Sequence, residues 1–159
     1  MKPGSLALIA TVAIVSLAAL IGSQSGHAQG GAVAPQIEGT WLTTITIPDG
    51  PPPFPALLTF AAGGGLAVTD GLAPPVAGNV YQGTWARRGN HKFAFTVMGF
   101  NYDATGALVG IFKIREHLEI EPSGNAYNGV WAGEVLDPDG NVVVSGFGGT
   151  THGTRINAE

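Results

Sequence analysis

Between residues 37 and 157 apolar and polar side chains alternate in short runs, and no stretch carries the 3.6-residue period of an amphipathic helix. Period two means a strand with one buried face and one wet face. The alternation predicts strands at Thr40–Ile47, Ala56–Ala61, Leu66–Asp70, Val80–Arg87, Lys92–Tyr102, Ala107–Glu121, Ala126–Leu136 and Asn141–Thr151. Between them stand the residues that tight turns need: Gly63-Gly64-Gly65, Gly89-Asn90, Asp103 to Gly106, Pro122 to Asn125 and Asp137 to Gly140. Five prolines between residues 48 and 55 end the first strand, because proline cannot donate to a ladder. A second proline-bearing loop covers Gly71–Gly78.

Eight strands joined mostly by short connections pair in sequence order, and eight suffice to close a cylinder that holds one small ligand. Glycines inside the predicted strands, such as Gly83, Gly129, Gly133 and Gly148, allow the sharp coiling that closure requires. The fold class expected is all-β: an eight-stranded antiparallel up-and-down β-barrel, preceded by a cleavable signal peptide. The division is 1–28 signal peptide, 29–36 flexible leader and 37–157 barrel. The signal reading rests on Lys2, the apolar run Leu6–Ile21 and the small residues Gly26-His27-Ala28. That run is 16 residues, short of the roughly 20 a spanning helix wants.

Composition narrows the partners. The chain has no cysteine, so neither disulfides nor thiol chemistry enter. Seven Lys and Arg face eleven Asp and Glu, without the basic stripe that nucleic acid or an anionic membrane surface demands. Localisation is expected to be periplasmic or extracellular. No cofactor is called for, no membrane contact is expected after signal cleavage, and the oligomeric state stays open.

The opening Gly39-Thr40-Trp41 resembles the start of the first strand in the calycin superfamily, the lipocalins and avidins. That resemblance implies a tryptophan plugging one barrel end, with an arginine of the last strand stacked on its indole. Trp41 and Arg155 are the matching positions. Leu42-Thr43-Thr44 stand where avidins have polar biotin contacts, so biotin binding is not carried over. An allene oxide cyclase-like barrel is the second choice. The pattern around Trp41 returns at Tyr81–Trp85 and Tyr127–Trp131, with the tryptophans 44 and 46 residues apart. The periods between do not repeat, so each copy is read as a strand start in one barrel layer.

Glu116 is the most informative position. Leu108, Phe112, Ile114, Leu118 and Ile120 fall on one face of their strand, and strict alternation puts Glu116 among them. A carboxyl aimed into an apolar barrel has its pKa raised unless it is paired. It is a ligand-orienting or acid–base group, or it is turned outward by a bulge, or it is a structural partner of a group such as Arg155 or a tyrosine hydroxyl. Tyr81, Phe93, Phe95, Phe112, Tyr127 and Trp131 join it as candidate ligand-binding residues of the interior, each of which could equally be plain core. His91, His117 and His152 lack ligand spacing, and Asp137, Asp139 and Asn141 imitate a calcium loop only at its start, so no metal site is expected. The function expected is an exported barrel binding a small hydrophobic molecule. The alternative is a cofactor-independent isomerase or cyclase using Glu116 as acid or base. An outer-membrane barrel comes last, because it would turn Glu116 toward lipid.

Overall fold

A computed structural model describes residues 36–158. The expected signal peptide and all but the last residue of the leader lie outside the described residues. Among those described, eight strands follow one another: β1 Gly39–Thr46, β2 Phe54–Phe60, β3 Gly65–Asp70, β4 Val80–Arg87, β5 Lys92–Tyr102, β6 Leu108–Ile120, β7 Ala126–Leu136 and β8 Val142–Arg155. Each pairs antiparallel with the next, and β1 pairs with β8, closing the barrel from Trp41↔Arg155 to Thr46↔Thr150. The up-and-down order expected from the short turns is therefore the order found.

Alternation sets which side chains fill the interior. Trp41 and Thr43 of β1, Ala56, Leu58 and Phe60 of β2, and Phe93, Phe95 and Val97 of β5 are buried, while Leu42, Leu57 and Met98 beside them are exposed. On the outer face of β6, Arg115 donates to both carboxylate oxygens of Glu134 at 3.0 and 3.2 Å. Such an exposed pair is screened by solvent and adds little stability, but its position marks the phase of the strand.

Four details differ from the alternation pattern. β8 does not stop at Thr151 but runs on to Arg155, which brings the arginine opposite Trp41. Leu108 is turned outward: Asn101 pairs with Gly110 but Tyr102 pairs with Leu108, so Val109 is an extra residue that reverses the faces beyond it. The loop before β4 contains one 3-10 turn, Pro75–Ala77, with proline at its first position, where the missing N–H costs nothing. The three tryptophans do not share a layer. Trp41 lies near the start of β1, but Trp85 is near the end of β4 and Trp131 midway along β7, so only the first copy marks a strand start; Trp41 and Trp85 fall toward one barrel end and Trp131 lines the interior farther along.

The two barrel ends differ in packing. One end holds the chain entry before β1, the end of β8 and the connections β2–β3, β4–β5 and β6–β7. It is solid. Trp41 and Ile37 are fully buried, Trp41 donates to Ile37 O at 2.9 Å, and Tyr127 meets the indole edge-on with centroids 5.2 Å apart. The Arg155 guanidinium lies 4.3 Å from the Trp41 ring centroid. It also donates to the carbonyls of Glu38 (2.6 Å), Gln36 (2.5 Å) and Gly124 (3.1 Å), tying the chain entry and the β6–β7 turn across the indole. Gly39 is needed beside it: its φ is +118°, and a Cβ there would stand 3.0 Å from the guanidinium. The other end is formed by the connections β1–β2, β3–β4, β5–β6 and β7–β8, and it is hollow.

Candidate functional site

A cavity of about 270 Å³ enters from the hollow end. Ile45, Ile47, Phe54, Leu58, Val68, Leu72, Phe95, Val97, Phe112, Ile114 and Phe147 give it an apolar wall. Its polar groups are few: Thr43, Asp70, Tyr81, Asn101, Glu116, Thr151 and the Trp131 indole. An apolar hollow with a small number of placed polar groups is the usual form of a small-molecule site.

Glu116 sits in the wall as strict alternation requires. Its Cα neighbours across the ladders are Phe95 and Trp131, and only 3% of its surface is exposed. The Thr151 hydroxyl donates to Oε1 at 2.5 Å. Burial pushes the Glu116 carboxyl up to about 7, with the Thr151 hydrogen bond pulling the other way. The structural partners expected for it are elsewhere: Arg155 is at the solid end, and the Tyr127 hydroxyl bonds Thr43 Oγ1 at 2.8 Å. Tyr127 is held above its ordinary value by burial, and next by the Glu116 charge. Tyr81 is raised too, by burial and by the neighbouring Asp70 carboxylate. Asp70 in turn accepts the backbone N–H groups of Leu72 and Ala73 at 3.0 and 3.4 Å, so it also shapes the rim.

Five of the seven candidate residues come together on this cavity: Tyr81, Phe95, Phe112, Glu116 and Trp131. Phe93 and Tyr127 are buried but belong to the solid end. Phe93 packs edge-on against Trp85, with the Arg87 guanidinium 4.6 Å from its centroid, and Tyr127 lies between Trp41 and Thr43. Sequence reasoning passed over Thr151, Asp70, Phe54 and Phe147. Thr151 carries no sequence signal of its face, because its in-phase neighbours on β8, Gly149 and Gly153, have no side chains to mark it. The Trp131 Nε1 is buried and has no hydrogen-bond partner among the described residues. Also among these residues, no group of three His, Cys, Asp or Glu could hold a metal ion.

The raised Glu116 carboxyl has a measurable consequence. The unfolded group loses its proton near the ordinary 4.5 and the folded one near 7. Between these values the unfolded state binds fewer protons, so stability falls as pH rises. The contribution is intact below pH 4.5 and lost above pH 7. At about 1.4 kcal/mol per tenfold displacement of the ionisation, the loss is on the order of 3 kcal/mol. Glu116→Gln cannot ionise and is expected to gain on the wild type by that order between pH 5 and pH 8 in urea unfolding. Parallel pH profiles for the two proteins would refute the assignment.

No protein-family model, curated protein or solved structure matches this chain. The closed eight-stranded antiparallel barrel is consistent with a calycin-like fold.

Proposed function

We propose that this protein is an exported, calycin-like barrel that binds one small, mainly apolar molecule inside its lumen. The observation that carries this reading is the hollow end: an apolar cavity of about 270 Å³ above a tightly packed floor. A dry cavity of about 150 Å³ accommodates benzene, so this volume suits a ligand of roughly ten non-hydrogen atoms. The stacking of Arg155 on Trp41 supports the calycin likeness, and the apolar interior with Glu116 inward is the reverse of a lipid-facing barrel.

The test is a thermal melt of the full chain with toluene. A ligand bound only by the folded state stabilises it, by about 2.7 kcal/mol at a hundred times Kd. The wild type is expected to melt higher with toluene. Ile114→Trp, which puts an indole into the lumen, is expected not to respond. No shift in the wild type, or the same shift in both, would end the proposal.

One observation supports the second reading, a cofactor-independent isomerase or cyclase. A carboxyl with a value of about 7 inside an apolar cavity has the protonation balance of a general acid–base at neutral pH. In that case Glu116→Gln abolishes turnover while leaving affinity in place.

A further inference from the structure

The charges that reach the lumen all have one sign. Among the described residues, Asp70 and Glu116 are the only carboxyl groups in the cavity wall, and no lysine, arginine or histidine lies in it. The same asymmetry extends to the mouth. The four connections at the hollow end, with the strand ends they join, carry Asp49, Asp70, Asp103, Asp137 and Asp139 and no basic residue. Arg87, Arg88, Lys92 and Arg155 are all toward the solid end.

Within the wall, Glu116 is 3% exposed, and the structure gives its carboxylate one side-chain hydrogen bond, from Thr151. A carboxylate has about four acceptor positions, and burying it with most of them unused is costly unless something else fills them. The adjacent strand position holds Trp131, whose indole N–H is buried and has no hydrogen-bond partner among the described residues. Of these two neighbouring polar groups in the apolar wall, the carboxylate has one side-chain hydrogen bond and the indole N–H none among the described residues. Around them stand Phe95, Phe112, Phe147 and Tyr81, whose ring faces attract a desolvated cation.

From this convergence of buried carboxylate, unmatched indole donor, aromatic wall and uniformly acidic mouth, we infer that the lumen ligand is a protonated amine on an apolar body of about one ring. Its ammonium group pairs with Glu116, the ring fills the aromatic wall, and an oxygen substituent on the same ligand would satisfy Trp131. The inference rests on the lumen-binding reading above and names the class of molecule that reading leaves open.

Pairing also ties affinity to pH. The groups facing the carboxylate from the surrounding strands are Thr151 of β8, Thr43 of β1, Phe95 of β5, and Trp131 and Tyr127 of β7. Asp70 of β3 and Tyr81 of β4 line the same cavity. None is a cation, and the tyrosines stay neutral through the range in question, so Glu116 governs how the site responds between pH 5.5 and pH 8.

The experiment is isothermal titration of the full chain with phenethylamine, its neutral counterpart 2-phenylethanol and its anionic counterpart phenylacetate. At pH 8 the amine is expected to bind roughly tenfold or more tightly than the alcohol, and phenylacetate most weakly. The preference for amine is expected to shrink by about tenfold at pH 5.5. Glu116→Gln should abolish the preference for the amine over 2-phenylethanol. If that variant does not fold, the ranking of the three probes on the wild type still decides. Alcohol or phenylacetate binding as well as the amine overturns the inference and leaves lumen binding intact. Failure of all three to bind overturns both.

Discussion

Replacing Trp41 with alanine is expected to lower the free energy of unfolding by about 3–5 kcal/mol, the usual cost of deleting a buried aromatic ring. This site belongs at the upper end of that range. The indole is fully buried, donates to Ile37 O, takes the edge of Tyr127 and carries the Arg155 guanidinium on its face. The stacked cation adds about 0.5–2 kcal/mol of its own. Arg155 in turn holds the carbonyls of Gln36, Glu38 and Gly124, so its loss of footing loosens the chain entry and the β6–β7 turn together. A domain of this size has roughly 5–15 kcal/mol of stability in all. The midpoint of urea unfolding should therefore drop steeply, and Trp41→Phe should recover part of the loss. Trp131→Phe is the informative contrast, since one side of that ring faces a cavity and fewer contacts disappear. A Trp41→Ala loss below about 1 kcal/mol, or one equal to that of Trp131→Phe, would contradict a solid end capped by Trp41.

Where alternation is strict, the buried face follows directly from the order of residues. Glu116 illustrates this best: a charged residue falls in phase with Ile114 and Leu118, and the backbone does not bulge to release it. Closure was legible for a related reason, because short turns leave few alternatives to pairing each strand with its successor. Phase becomes unreadable where a strand lacks side chains to mark it. In β8, Gly146, Gly148 and Gly149 give no signal, and both Phe147 and Thr151 were missed as parts of the cavity wall. Alternation alone points Leu108 inward, because nothing in its own sequence announces the extra residue at Val109. That bulge is a property of the pair of strands.

The division of the interior into a packed half and an empty half depends on distances across the barrel. Phe93 and Phe95 have the same residue type and the same face, yet one fills the solid end and the other lines the lumen. Position along the barrel axis decides between them, and period two is blind to it. The unmatched Trp131 N–H has the same origin: its backbone is in register with Glu116, but no acceptor comes within reach among the described residues.

The second large effect is expected from a single added methyl group. Gly129 of β7 stands opposite Leu118 and Thr151, and a Cβ built there would overlap both the Glu116 carboxylate and the Thr151 hydroxyl. Gly129→Ala therefore forces one of two outcomes. Either the carboxylate swings into the lumen and gives up the Thr151 hydrogen bond, or β7 shifts against its neighbours. The first loses about 1.5–3 kcal/mol of hydrogen bonding to a charged group. The second carries the overpacking cost of about 1–3 kcal/mol. Some mixture is expected, destabilising the protein by about 1–3 kcal/mol, with the displaced carboxylate also obstructing the cavity and weakening toluene binding. A double-mutant cycle separates the two. If the hydrogen bond is what breaks, Thr151→Ala costs much less in the Gly129→Ala background than alone, with a coupling above about 0.5 kcal/mol. If the strands part instead, the two substitutions add and toluene affinity changes little. A Gly129→Ala protein as stable as the wild type would mean that Glu116 has room to spare, and that its burial against Thr151 is not enforced by the shape of the wall.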